Sequence, residues 1–68
     1  MREERPIIFT IYETHGVSSG FMYDIRTKDP RADGEECHNL YADEVYKNMA
    51  DLSEVLNNKG YAVLFEVG

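Results

Sequence analysis

The clearest hydrophobic pattern in the chain lies between residues 41 and 58. Apolar side chains recur there at steps of three and four residues, at Tyr41, Val45, Met49, Leu52 and Leu56. This spacing puts them on one side of an α-helix, with polar residues on the opposite side. The segment therefore predicts an amphipathic helix, with Asn39 as its N-cap or with a start nearer Ala42.

A glycine follows this pattern directly. Gly60 can adopt the left-handed conformation that closes many helices, and Tyr61 after it can reach back to Leu56. We therefore expect the helix to end at residue 58 or 59. The apolar residues that come next predict a strand.

Three segments show the two-residue alternation of β-strands, namely residues 7–14, 21–27 and 61–67. Residues 15–20 contain two glycines and two serines, which predicts a hairpin loop between the first two strands. Residues 28–36 form a turn-rich loop, and residues 37–41 are a candidate for one further short strand.

These elements predict an α+β fold with the order β-β-α-β. The first two strands form a hairpin, and the helix carries the chain over to the free side of the first strand. We expect a three-stranded antiparallel sheet in the order second, first, last, with the helix on one face. The chain is interpreted as one small domain over residues 1–68, with a charged lead at 1–5 and the turn-rich loop at 28–36.

One helix covers one face of such a sheet, so the other face needs a different explanation. That rear face would present Ile8, Tyr12, Met22 and Leu64, which is more apolar than a solvated face requires. Tyr46, on the flank of the helix, also has no place in the predicted core. Two explanations stay open: the N-terminal arm folds over these residues, or a partner or second copy contacts them.

The charge is unevenly distributed, with a formal net charge of −6. Between residues 32 and 58, Lys47 is the only base, whereas the remaining segments balance acids and bases. The acids of this central region are Asp33, Glu35, Glu36, Asp43, Glu44, Asp51 and Glu54. They predict a negative potential on one side of the molecule, which disfavours direct binding to nucleic acid.

No residue pattern indicates a catalytic or metal site. Cys37, His38 and His15 have the wrong number and spacing for a structural zinc site, and no orienting group for a cysteine nucleophile is evident. The run from Asp29 to Gly34 resembles the start of a calcium-binding loop but has arginine at the third position. Its acids are better explained as turn formers. We expect no enzyme activity and no cofactor.

The N-terminus is charged and is followed by only a short apolar stretch, so neither a signal peptide nor a transmembrane span is predicted. A single cysteine, Cys37, cannot form an internal disulfide, which fits a reducing compartment. These features predict a cytoplasmic protein without membrane association.

The leading functional hypothesis is a small, non-enzymatic acidic protein-binding module. Its carboxylates would occupy a basic surface of another protein, such as a nucleic-acid-binding surface, and act as an inhibitor. By analogy with small acidic proteins of phages and mobile elements, it is interpreted as a possible viral protein. The alternative is a homodimeric or assembly-docking structural protein that uses the apolar rear face.

Overall fold

The computed structural model describes residues 5–14 and 22–68 of the chain. In chain order it contains β1 (Ile7–Glu13), β2 (Tyr23–Arg26), a 3₁₀ turn (Pro30–Ala32), β3 (Cys37–Leu40), α1 (Ala42–Asn58) and β4 (Val63–Val67). The predicted α+β order is confirmed, and the candidate strand near residues 37–41 forms as β3. The predicted loop at 15–20 and most of the charged lead lie outside the described residues.

The sheet is mixed and has the strand order β3-β2-β1-β4. β1 pairs antiparallel with β2 and parallel with β4. The neighbours of β1 are those predicted, but the prediction of a fully antiparallel sheet is wrong for the last strand. β3 reverses the chain once more before α1 carries it back along the sheet, and the last strand therefore runs in the direction of β1.

α1 buries the predicted side from Val45 onward, because Val45, Leu52 and Leu56 are buried. Its first predicted core residue is different: Tyr41 is exposed and serves as the N-cap. The Tyr41 backbone N–H donates to Glu44 Oε1 at 3.0 Å, which satisfies one of the free donors at the start of the helix. The start near residue 42 is confirmed, and the prediction of Asn39 as N-cap is wrong.

The end of α1 is the one the sequence predicts. Gly60 has a φ of 94°, and its N–H donates to Asn57 O at 2.9 Å. The Tyr61 N–H donates to Leu56 O at 3.0 Å. These two bonds form a Schellman motif, which requires the left-handed conformation that glycine adopts without steric cost.

The core lies between α1 and one face of the sheet. Its fully buried side chains include Phe9, Ile25 and Leu56, and the ring of Phe9 stacks on that of Phe65 at 5.6 Å between centroids. The residues between them in each strand point the other way, to a face that α1 does not cover. Among residues 5–14 and 22–68, the outer side of α1 and the rear of the sheet are therefore both exposed to other molecules.

Candidate functional site

The side of α1 that faces away from the sheet is acidic. It presents Asp43, Asp51 and Glu54, which are all exposed, and we call these residues the outer acidic face. Within the described parts of the chain, their carboxylates form no hydrogen bond or ion pair. Lys47 is the only base on α1 and lies one helical turn from both aspartates. The outer acidic face is therefore exposed to solvent.

Two of the other predicted acids lie at element ends. Glu44 is half-buried and accepts the backbone N–H of Tyr41, so its carboxylate stabilises the helix start. Asp33 is exposed and follows the 3₁₀ turn, where its N–H donates to Pro30 O at 3.3 Å. Glu44 is therefore explained by the fold, whereas the carboxylate of Asp33 is not.

The adjacent pair Glu35 and Glu36 point to different sides of the molecule. Glu35 Oε1 lies 3.9 Å from Lys59 Nζ, near the end of α1. Glu36 Oε2 accepts the backbone N–H of Thr27 at 3.1 Å, on the rear of the sheet. The predicted acidic surface is thus divided, and Glu36 does not belong to the outer acidic face.

Cys37 lies on β3 with its side chain toward α1, and nearby acids affect the pKa of its thiol. Its thiol is half-buried and donates to Asn48 Oδ1 at 3.5 Å. Burial raises the pKa of this thiol, and the negative charges of Asp51 and Glu35 raise it further. A thiol with a raised pKa stays protonated at neutral pH and is a weak nucleophile. Asp51 and Glu35 are therefore close enough to Cys37 to act on its thiol.

His38 points away from Cys37, to the rear of the sheet. Its Nδ1 lies 3.4 Å from Asp24 Oδ2, and its Nε2 lies 3.9 Å from Glu36 Oε1. Successive residues of a strand face opposite sides, so Cys37 and His38 cannot act on one ligand. Within residues 5–14 and 22–68, no group of three His, Cys, Asp or Glu side chains is placed to hold a metal ion. His15 lies outside the described residues.

Asp24 is the buried charge of the rear face, with 4% of its surface exposed. Its Oδ1 accepts the backbone N–H of Asn39 at 2.9 Å, and its Oδ2 accepts Arg26 Nη2 at 2.7 Å. The hydrogen bond from Asn39, together with Arg26 and His38, lowers the pKa of Asp24 against the opposing effect of burial. Sequence reasoning missed this role of Asp24. The Asp-x-Arg spacing in β2 was the available signal.

The rest of the rear face is partly apolar and partly polar. Ile8 is 45% and Leu64 is 55% exposed, and Tyr12 and Met22 are exposed as well. The guanidinium of Arg26 lies 5.5 Å from the ring centroid of Tyr12. The predicted exposure of these residues is therefore observed, but Arg26 covers part of the aromatic surface.

A shallow groove of about 590 Å³ crosses this face beside Tyr12. Its walls combine apolar and charged side chains: Ile8, Thr10, Tyr12, Arg26, Lys28, Glu36 and Glu66. Thr10 Oγ1 donates to Glu66 Oε1 at 3.2 Å, and Thr27 Oγ1 donates to Ile8 O at 2.8 Å. Most polar groups of the groove thus already have partners within the chain, and the groove has no cluster that marks a ligand.

The loop that resembles a calcium site holds an ion pair instead. Asp29 caps the 3₁₀ turn and accepts Arg31 Nη2 at 2.6 Å. Hydrogen bonds from the side chain and backbone of Arg31 lower the pKa of Asp29 to about 2. Arg31 Nη1 also donates to Arg5 O at 2.7 Å, which fastens the loop to the start of β1. The interpretation of these acids as turn formers is confirmed for Asp29.

Tyr46, predicted to contact a partner, is 79% exposed. It lies on the flank of α1 toward β4 and shares an apolar cleft with Met49, Phe65 and Val67. The last of these, Val67, is 86% exposed. This corner of the molecule is both apolar and accessible, and sequence reasoning had identified only its tyrosine.

Comparison with protein-family models, with curated proteins and with solved structures found no match to this chain. In the described part of the chain, α1 is too polar and too short to cross a membrane, and no other helix there could do so.

Proposed function

We propose that the protein is a non-enzymatic binding module whose outer acidic face occupies a basic surface of another protein. The observation that carries this proposal is the set of exposed carboxylates of Asp43, Asp51 and Glu54, which have no partner within the described residues. A rigid helix that displays unpaired carboxylates is complementary to a surface of lysines and arginines.

Electrostatics supports the same proposal. Burial raises the pKa of the Cys37 thiol, and the negative charges of Asp51 and Glu35 raise it further, so the effect of these two acids extends to β3. A net charge of −6 accelerates encounter with a basic partner and repels nucleic acid. Basic surfaces that bind phosphate backbones are natural targets, and the protein would act there as an inhibitor. We propose that this activity takes place in the cytosol, where a lone thiol stays reduced. By analogy with small acidic proteins of phages and mobile elements, we also propose a viral origin.

A pull-down with matched variants tests the proposal. One bait carries Asp43→Asn and Glu54→Gln, and the other carries Glu13→Gln and Glu66→Gln away from the outer acidic face. Both change the net charge from −6 to −4. We expect the first bait to lose a captured basic protein and the second to retain it. Duplex DNA or RNA should release that protein if its nucleic-acid-binding surface is occupied.

A second candidate function is docking through the rear face onto an assembly or a second copy. The exposure of Ile8 and Leu64 favours it. Substitution of Ile8 by lysine would abolish such docking and leave the outer acidic face intact. Capture that depends on residue 8 but not on Asp43 and Glu54 would favour this candidate over the acidic one.

A further inference from the structure

The two edge strands of the sheet differ in how well they are protected from pairing with a strand of another molecule. β3, at one edge, contains a bulge opposite Asp24, and Asn39 there has a φ of 59°. The N–H of Asn39 is bonded to the Asp24 carboxylate. β4, at the other edge, keeps a regular register with β1 from Val63 to Val67. Bulges and charges normally protect exposed edges, and β4 has only Glu66.

The hydrogen bonds to β1 define which backbone groups of β4 are free. The Ile7 N–H donates to Ala62 O at 2.9 Å, and the Gly68 N–H donates to Ile11 O at 3.0 Å. In a parallel pair, alternate residues of a strand bond to the same neighbour. Even-numbered residues of β4 therefore face β1, and the N–H and C=O groups of Val63, Phe65 and Val67 point outward. Within the described residues they have no partner.

The surface beside this edge carries little charge. Asn48 contacts Cys37 of β3, so the opposite flank of α1 faces β4. That flank consists of Tyr46, Ala50, Ser53 and Asn57, which are all uncharged. The charged residues of α1 lie on its outer side and on its β3 flank. Two copies that met at β4 would therefore keep their outer acidic faces apart.

We propose that β4 pairs antiparallel with β4 of a second copy to form a continuous eight-stranded sheet. With the two-fold axis at Phe65, Val63 lies opposite Val67 of the partner, and all the outward N–H and C=O groups bond to each other. Leu64 then lies opposite Glu66 of the partner on the rear face, so the two Glu66 carboxylates do not face each other. Tyr46 and Val67 add apolar contact on the other side.

This assignment does not depend on the proposed binding of a basic partner, because it uses a different surface. The proposed dimer also differs from one in which two copies contact each other through their rear faces. The rear of the dimer stays open, and the outer acidic face is displayed twice. A second copy suits this edge because its own strand supplies the complementary hydrogen-bond pattern in a symmetric register.

Cross-linking with matched single-cysteine variants tests the pairing and its register. In a Cys37→Ser background, L64C and E66C introduce thiols at exposed positions that face each other only between copies. We expect mild oxidation to link L64C to E66C in a mixture, because opposite residues of this kind have Cα atoms about 4.5 Å apart. Each variant alone should link far more slowly. No cross-link in the mixture, or equal rates in all three samples, would overturn the proposal.

Sedimentation supplies a second readout without cysteine. We expect the natural protein to form a dimer as its concentration rises and V67P to dissociate at least about tenfold more readily. Proline at this position removes an outward N–H and leaves the pairing with β1 intact. L64K should retain the dimer, since its ammonium group would face Glu66 of the partner. A natural protein that stays monomeric up to about 1 mM would contradict the proposal.

Discussion

The carboxylate of Asp24 accepts the backbone N–H of Asn39 at 2.9 Å and thereby closes the bulge between β2 and β3. The extra residue in β3 would otherwise leave that N–H without a ladder partner. Asp24 therefore stabilises β3, and the presence of β3 determines that β4 runs parallel to β1.

Replacement of Asp24 tests this link. Asp24→Ala leaves the Asn39 N–H without its acceptor and removes the ion pair with Arg26. We expect the free energy of unfolding to fall by about 2 kcal/mol, as measured by urea denaturation. Asp43→Ala removes an exposed carboxylate and should change it by less than about 0.5 kcal/mol. Equal effects of the two substitutions would show that Asp24 has no special structural role.

The pair formed by Asp29 and Arg31 predicts a pH dependence. The pKa of Asp29 is lowered from 3.8 to about 2 in the folded protein, so the unfolded chain takes up a proton there more readily. The stability that this pair contributes is complete above about pH 4 and is lost as the pH falls through 2. In Asp29→Asn, the free energy of unfolding should vary less between pH 4 and pH 2. Arg31→Gln should reduce this variation in the same way. If the free energy of unfolding of both variants varied with pH as it does in the natural protein, the Asp29–Arg31 pair would not be the cause.

The adjacent isoleucines of β1 provide a test of which face is the core. Ile7 is fully buried, whereas Ile8 is 45% exposed on the rear face. We expect Ile7→Ala to lower the free energy of unfolding by about 2–4 kcal/mol, because it leaves a cavity. Ile8→Ala should cost less than about 1 kcal/mol in dilute monomeric protein. A reversed order would mean that the sheet is buried on its other face.

The reactivity of Cys37 reports the field of the neighbouring acids. Burial, Asp51 and Glu35 raise the pKa of its thiol, so alkylation by iodoacetamide near neutral pH should be slow. Asp51→Asn should lower that pKa and accelerate the reaction. Glu54→Gln removes a charge that does not act on Cys37 and should have little effect. Equal rates for both variants would exclude a local field from Asp51.

The helix and its ending could be predicted because their signals are local. The stripe that includes Leu52 and Leu56 and the glycine at 60 act within a few residues of each other, and the bonds they predict are formed. Exposure of Ile8 and Leu64 followed from strand alternation in the same way. Such features depend on spacing along the chain rather than on tertiary partners.

The orientation of β4 could not be predicted from the spacing of residues along the chain. It depends on whether residues 37–40 form a strand, and the sequence Cys-His-Asn-Leu shows no clear alternation. That strand is stabilised by Asp24, which is distant in sequence. The positions of Glu35 and Glu36 on different sides of the molecule could not be predicted for a similar reason, because the partners of these two residues lie on other elements. Contacts between distant residues decided both outcomes.

The outer acidic face is proposed to bind a basic protein. The most direct test of this proposal is the affinity of a captured basic partner for the Asp43→Asn, Glu54→Gln variant and for the Glu13→Gln, Glu66→Gln variant, each measured at low salt and at about 0.5 M salt. We predict that only the first variant weakens binding at low salt and that high salt weakens binding of the natural protein. Equal affinities of the two variants, or binding that salt does not change, would contradict it.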